Sequence, residues 1–197
     1  MTEQKILFVN ACIRKNSRTR FLAEQVIRQL NGTVVEVDPV TATEPITSEE
    51  FIINRADATG KMDFADPAYA PARQFAEADI IVVAAPYWDL SFPAILKAYF
   101  EQVNVLGLTF EYTEEGFPRG LCKARKLIYV TTAGGPIISD EYGYGYVKSL
   151  AQGFYGIADV CQVKAERLDV IGADVEGILS KALEGFKHEM VTFRNLS

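Results

Sequence analysis

The chain has little from which to build a metal or disulfide site. It carries one histidine, His188, and three cysteines, Cys12, Cys122 and Cys161, far apart and without a C-x-x-C pair. An odd number at such spacings provides neither a disulfide framework nor a zinc ligand set, and no metal is expected; free thiols fit a reducing, cytoplasmic setting. No apolar run reaches the roughly 18 to 20 residues that cross a bilayer, so no membrane segment is expected. The opening Met1-Thr2-Glu3-Gln4-Lys5 lacks the basic region and cleavable apolar stretch of a secretory signal. Positive charge is also in the minority. Twenty Lys and Arg face 26 Asp and Glu, a net charge of −6, which argues against a nucleic-acid backbone as partner. Repeats, low-complexity tracts and Pro/Gly/Ser-rich linkers are missing too. The 197 residues are therefore expected to form a single domain spanning 1–197.

What the chain does have is an alternation of apolar strands and amphipathic helices. Ile6-Leu7-Phe8-Val9, within Lys5 to Asn10, is the continuous apolar run of a strand buried on both faces. Leu22, Val26, Ile27 and Leu30 recur at helical spacing from Ser17 to Asn31, with Gly32 as a stop. Thr33 to Asp38 reads as a strand, Pro39 to Pro45 as a loop, and Thr47-Ser48-Glu49-Glu50 as a capping box opening a short helix. A helix over Pro67 to Ala78 precedes Ile80 to Ala85, the strongest strand and the expected centre of the sheet. Ser91 is then expected to cap a helix with Pro93 in its first turn. Strands at Leu127 to Thr132 and Val160 to Glu166, with helices at Tyr146 to Phe154 and Val175 to Met190, complete the pattern. This is an α/β chain with a mostly parallel sheet. Ligands of such sheets bind beyond the carboxyl ends of the strands, where strand order reverses.

Three loops fall at that edge. The first, Asn10 to Thr19, joins a strand to a helix N-terminus, a ready anion site to which Arg14, Ser17 and Thr19 add donors. It is neither a G-x-G-x-x-G turn nor a P-loop, so dinucleotide-binding and NTPase readings fit poorly. Ser17 or Thr19 acting only as a helix cap is the plainer alternative. The second loop holds Pro86, Tyr87, Trp88 and Asp89. Aromatics at the tip of a central strand can wall a planar ligand, or else cover the next helix or a subunit interface. In the third, Thr132, Ala133, Gly134 and Gly135 let backbone approach a flat ring, or simply make a turn.

Together these loops resemble the flavodoxin-like NAD(P)H-dependent oxidoreductases, in particular the FMN-dependent NADH-azoreductase and quinone reductase family. The most specific element is Pro86-Tyr87-Trp88-Asp89 followed by Phe92-Pro93-Ala94-Ile95-Leu96-Lys97. It is similar to that family's Pro-x-Tyr/Trp-Asn loop and the helix after it. Thr132-Ala133-Gly134-Gly135 looks like its third flavin loop. Ala11-Cys12-Ile13-Arg14 departs from its usual Ser-Pro-Arg opening and places a weak thiol donor where a hydroxyl is common. The resemblance implies a flavodoxin-like three-layer sandwich with a five-stranded parallel sheet, non-covalent FMN, NAD(P)H as donor, a small-molecule electron acceptor and a homodimer. It also implies ping-pong hydride transfer to quinones, azo compounds or similar acceptors, with the flavin carrying the chemistry and no catalytic side chain required.

On this expectation the FMN phosphate sits on Arg14, Ser17 and Thr19, and the ring lies against Pro86 to Asp89 and Thr132 to Gly135. Tyr142 and Tyr144, in the Tyr142-Gly143-Tyr144-Gly145-Tyr146 run, suit a mobile aromatic lid with acceptor contacts, or a dimer contact. Phe110 to Pro118 reads as a hairpin or excursion beside the site. His188 is expected at a surface or partly buried position on the last helix, and Cys12 as a small buried side chain lining the phosphate loop. Two alternatives remain: a flavodoxin-type electron carrier without its own substrate, and a degenerate interaction module that no longer binds flavin.

Overall fold

In the computed structural model, described for residues 3–43, 45–60 and 64–194, the chain runs through seven strands and seven α-helices. Met1 and Thr2 of the N-terminal lead, and Glu44 of the loop expected after the second strand, lie outside those residues. In chain order the first elements are β1 (Lys5–Asn10), α1 (Arg18–Ile27), β2 (Thr33–Val37), α2 (Pro39–Ala42), α3 (Glu49–Gly60), α4 (Ala70–Glu77) and β3 (Ile80–Ala84). Next come α5 (Ala94–Val103), β4 (Phe110–Tyr112), β5 (Pro118–Gly120) and β6 (Lys126–Thr132). The chain continues through α6 (Tyr146–Leu150), β7 (Asp159–Ala165) and α7 (Val175–Arg194).

Five strands form one parallel sheet in the order β2-β1-β3-β6-β7, with β3 at its centre as expected. Alternate residues of each strand point to opposite faces. Leu7, Val9, Ile81, Val83, Leu127 and Tyr129 therefore pack with Phe75 of α4, Leu96 and Phe100 of α5 and Val147 of α6. Their neighbours Ile6, Phe8, Val82 and Ile128 pack with Leu22 and Val26 of α1 and Phe186 of α7. Helices on both faces explain why β1 and β3 are apolar without alternation. The result is the three-layer flavodoxin-like sandwich.

Several local expectations are revised. Pro39 to Ala42 forms a short helix rather than a loop, because Asp38 accepts from the Val40 N–H (2.9 Å) and Pro39 at its first position has a preset φ. The helix at Glu49 is capped by Ser48, whose Oγ accepts from Phe51 N (3.2 Å), so the box does not start at Thr47. That helix runs to Gly60. Ser91 does not cap α5, which starts at Ala94 behind Pro93 without a side-chain cap. The β4–β5 hairpin is not beside the loops at the carboxyl edge. α5 carries the chain back toward the start of β6, and the hairpin packs there, with Phe110 against Phe154 (centroids 5.0 Å apart) and the segment after it tied by Lys123 N to Ala76 O at the end of α4 (2.9 Å).

The two apolar layers predict a steep contrast in mutational cost. Leu127 is fully buried in the centre of the sheet, whereas Val34 on the edge strand β2 is 42% exposed. Leu127→Ala is expected to lower the unfolding free energy by about 2–5 kcal/mol. Val34→Ala should change it by no more than about 0.5 kcal/mol. Urea denaturation of both variants checks this, and equal losses would contradict the layer assignment.

Candidate functional site

From β1 the chain passes outward to β2, then returns past β1 to begin β3 on its other side. The loops after β1 and β3 therefore diverge and leave a crevice at the carboxyl edge. Backbone bonds continue the ladder beyond the strand ends and fix all three loops. Ala11 N donates to Ala84 O (2.9 Å), Ala85 N to Val130 O (3.0 Å), Tyr87 N to Thr132 O (3.0 Å) and Ala133 N to Ala165 O (2.9 Å).

A cavity of about 270 Å³ opens in this crevice. Arg14, Ser17 and Thr19 line it from the first loop, Pro86, Tyr87 and Trp88 from the second, and Thr132 and Gly134 from the third. Of the residues expected from sequence, Asp89, Ala133 and Gly135 flank the cavity in chain without lining it, as do Tyr142 and Tyr144 farther along. Ile13, Asn16, Arg18 and Asp169 complete the wall and were not anticipated.

On the first loop Ser17 is the N-cap of α1, and its Oγ accepts from Arg20 N (3.2 Å). The N–H groups of Arg18 and Thr19 in the first turn lack intrahelical acceptors by helix geometry, which leaves an anion-binding end at the cavity. Thr19 is buried, and its hydroxyl pairs with that of Thr132 at 2.6 Å, a strut between the first and third loops. Arg18 reaches across to the β7–α7 loop. Its Nη1 donates to Leu168 O (2.9 Å), and Nη2 pairs with Asp169 (2.5 Å). That loop is sewn to the third one by Arg167 N on Gly135 O (2.9 Å), Leu168 N on Ala133 O (3.2 Å) and Asp169 N on Gly134 O (2.9 Å). Gly134 lies so close under the Asp169 carboxylate that a Cβ there would collide with it.

The second loop is a two-residue hairpin. Trp88 and Ser91 exchange both backbone bonds (3.0 and 2.8 Å), and Asp89 (φ 49°) and Leu90 (φ 70°) are both left-handed, as a type I′ turn requires. Aspartate tolerates that region, as asparagine does. Leucine does so at a cost of roughly 1–2 kcal/mol, strain of the kind held at functional sites. The turn is braced from above. Ser91 Oγ donates to Tyr142 O (2.5 Å), and the Tyr87 hydroxyl accepts from Ile138 N (3.2 Å) and Ser139 N (3.4 Å).

Tyr142 and Tyr144 stand in a π-helical turn, Glu141–Gly145, that continues into α6. The run expected as a mobile lid is thus helical. Tyr142 is exposed, while Tyr144 is half-buried, donates to Val160 O (2.9 Å) and faces Tyr129 (centroids 6.2 Å). Asp140, just before this turn, accepts from Lys164 Nζ (2.8 Å) and Gln162 Nε2 (2.9 Å). Burial works to raise its carboxyl, but these two donors outweigh it and hold the group below its ordinary range. His188 is exposed on α7. Among the described residues no His/Cys/Asp/Glu group could hold a metal, and no helix is long and apolar enough to cross a membrane.

A family model described as flavodoxin-like fold matches residues 4–189. The chain belongs to that family. This flavodoxin-like chain is 48% identical to an FMN-dependent NADH:quinone oxidoreductase 2 of Clostridium acetobutylicum, over 96% of this chain and 99% of that one. It is 37% identical to an FMN-dependent NADH:quinone oxidoreductase of Coprothermobacter proteolyticus, over 91% and 94%. Among solved structures it superposes on an azoreductase from Bacillus anthracis with a TM-score of 0.76 and 30% identity, covering 93% and 96%.

The flavodoxin-like first loop carries Cys12 where a reactive thiol would matter most. Desolvation by burial pushes this thiol up to about 11, against the pull of Ser17 and Arg20, and its Sγ points at Ala84 O (3.7 Å). Burial pushes Cys122 up to about 12, and Cys161 is shielded within the core. At pH 8 Cys12 and Cys122 therefore stay neutral. Ellman's reagent is expected to titrate three thiols in denaturant and almost none over minutes in the native protein. A fast native titration removed by Cys12→Ser would contradict this.

Proposed function

We propose that this chain is an FMN-dependent NADH oxidoreductase that reduces quinones, azo compounds or similar acceptors. One observation carries the reading: an anion-binding helix end, an aromatic hairpin and a glycine loop meet around a single cavity at the switch point between β1 and β3. That set fits FMN, with a charged end, a planar ring and a polar ring edge. The names of the relatives, FMN-dependent NADH:quinone oxidoreductases and an azoreductase, support the same cofactor, donor and acceptor class.

The phosphate would be held by Arg14, by Ser17 and Thr19 and by the first amides of α1. The ring would lie against Pro86, Tyr87 and Trp88 on one side, with Thr132 and Gly134 along its edge, while Asp89, Ala133 and Gly135, next to them in chain, would border it from outside the cavity wall. Bound FMN supplies the hydride and electron chemistry; the protein supplies orientation, electrostatics and exclusion of water. Tyr142, exposed above the hairpin, is the acceptor contact in this reading. Tyr144, half-buried and bonded to Val160 O, positions the helix. The reading takes the chain as one flavin-binding unit in a cytoplasmic homodimer. Exposed Leu90, Ile138 and Tyr142 around the cavity mouth form the apolar surface that a second copy would cover.

The deciding experiment is anaerobic. Purified protein is loaded with FMN, freed of excess and mixed with NADH, and the visible absorption band of the flavin is followed. Bleaching followed by recovery on adding a quinone is expected. Retained flavin that neither NADH nor NADPH bleaches would favour a simple electron carrier, and no retained flavin would refute the assignment.

Asp89 gives a second test. An amide both donates and accepts, whereas a carboxylate only accepts, and its charge opposes added negative charge on the reduced ring. Asp89→Asn is expected to raise the midpoint potential of the bound flavin. A spectroelectrochemical titration showing no change or a fall would refute that placement.

A further inference from the structure

The cavity wall contains one charge of the wrong sign for a phosphate. Arg14 and Arg18 line it as cations, and Asp169 lines it as an anion paired directly with Arg18 at 2.5 Å. The placement is built in. Asp169 N–H is fixed on Gly134 O, the carboxylate covers Gly134, and the other arm of the Arg18 fork is held by Leu168 O. Arg18 is also the first residue of α1, so its side chain starts from the helix end that offers free amides to an anion.

We propose that Asp169 competes with the cofactor's phosphate for Arg18, and so sets how tightly and how selectively the protein holds FMN over riboflavin. The inference rests on the FMN reading above. A guanidinium presents a planar fork that matches a carboxylate or a phosphate but does not serve both with the same face. In this structure the fork is closed on Asp169. A phosphate arriving at the α1 N-terminus must draw Arg18 away from Asp169, and breaking that pair weakens its binding. Riboflavin has the same ring and ribityl chain without the phosphate and does not enter this exchange. A purely structural clasp, tying α1 to the β7–α7 loop, would instead help both flavins equally.

The test compares FMN and riboflavin binding to apoprotein by quenching of flavin fluorescence, for the wild type, Asp169→Asn, Arg18→Gln and the double variant. Thermal melts confirm that each is folded, and Arg18→Met, which also removes the charge but keeps the length of the side chain, replaces Arg18→Gln if that variant melts early. Asp169→Asn is expected to bind FMN about two- to fivefold more tightly at low ionic strength, the size of effect a partly exposed charge pair gives. Riboflavin affinity should stay the same, and the gain should shrink with added salt. In the Arg18→Gln background the gain should vanish. Unchanged or weaker FMN binding by Asp169→Asn, an equal change for riboflavin, or a gain that survives Arg18→Gln would each overturn the proposal while leaving the FMN reading intact. No FMN binding by either the wild type or Asp169→Asn would overturn that reading, and this inference with it.

Discussion

The structure depends on the parallel hydrogen-bond ladder running past the ends of its strands. Ala11, Ala85, Tyr87 and Ala133 donate to the neighbouring strand or its extension, so the loops leave the sheet already in register. Buried backbone N–H groups need partners, and at this edge they find them in the next loop rather than in water. A parallel sheet covered on both faces has all its carboxyl ends on one side. The order β2-β1-β3-β6-β7 then opens a crevice only between the β1 and β3 loops, and the cavity lies there.

Around that crevice side chains do the remaining positioning. The Thr19–Thr132 pair is an inner strut and the Arg18–Asp169 pair an outer one, both between α1 and the far side of the sheet. Tyr87 and Ser91 hold the second loop against the segment from Ile138 to Tyr142. The I′ hairpin is the strained member of the set, with a leucine at φ 70°. Neighbours that grip both of its ends keep it there, and the same grip presents the Trp88 ring at the cavity. Rigid placement of a ring wall is what a bound flavin needs from a protein that leaves the chemistry to its cofactor.

Much of this was legible in the residues. The strands showed as short apolar runs, the helices as apolar positions three and four apart, and the three loops as breaks of the right composition between them. Arg14, Ser17, Thr19, Pro86, Tyr87, Trp88, Thr132 and Gly134, all anticipated as cofactor residues, do line one cavity. The errors have a common cause. Ser91 as a helix cap, the tyrosine run as a lid and a place beside the site for the Phe110 to Pro118 hairpin, which does form, follow from local preference alone, and each is governed by a contact distant in sequence: Tyr142 O for Ser91, Val160 O for Tyr144, Phe154 for Phe110. Asp169 carried no signal, since it meets Arg18 across 151 positions. Arg18 had one, its place between Ser17 and Thr19.

By itself the sequence determined the α/β alternation, the central place of Ile80 to Ala84 and the edge at which the functional loops gather. Hydrophobic period and turn chemistry are local properties that a linear string records. Tertiary structure alone decided which hydroxyls and charges pair across the crevice, that Asp89 and Leu90 are left-handed, and that the tyrosine run is helix. Those outcomes depend on groups brought together by the strand crossovers, and no local preference encodes a partner that far away in the chain.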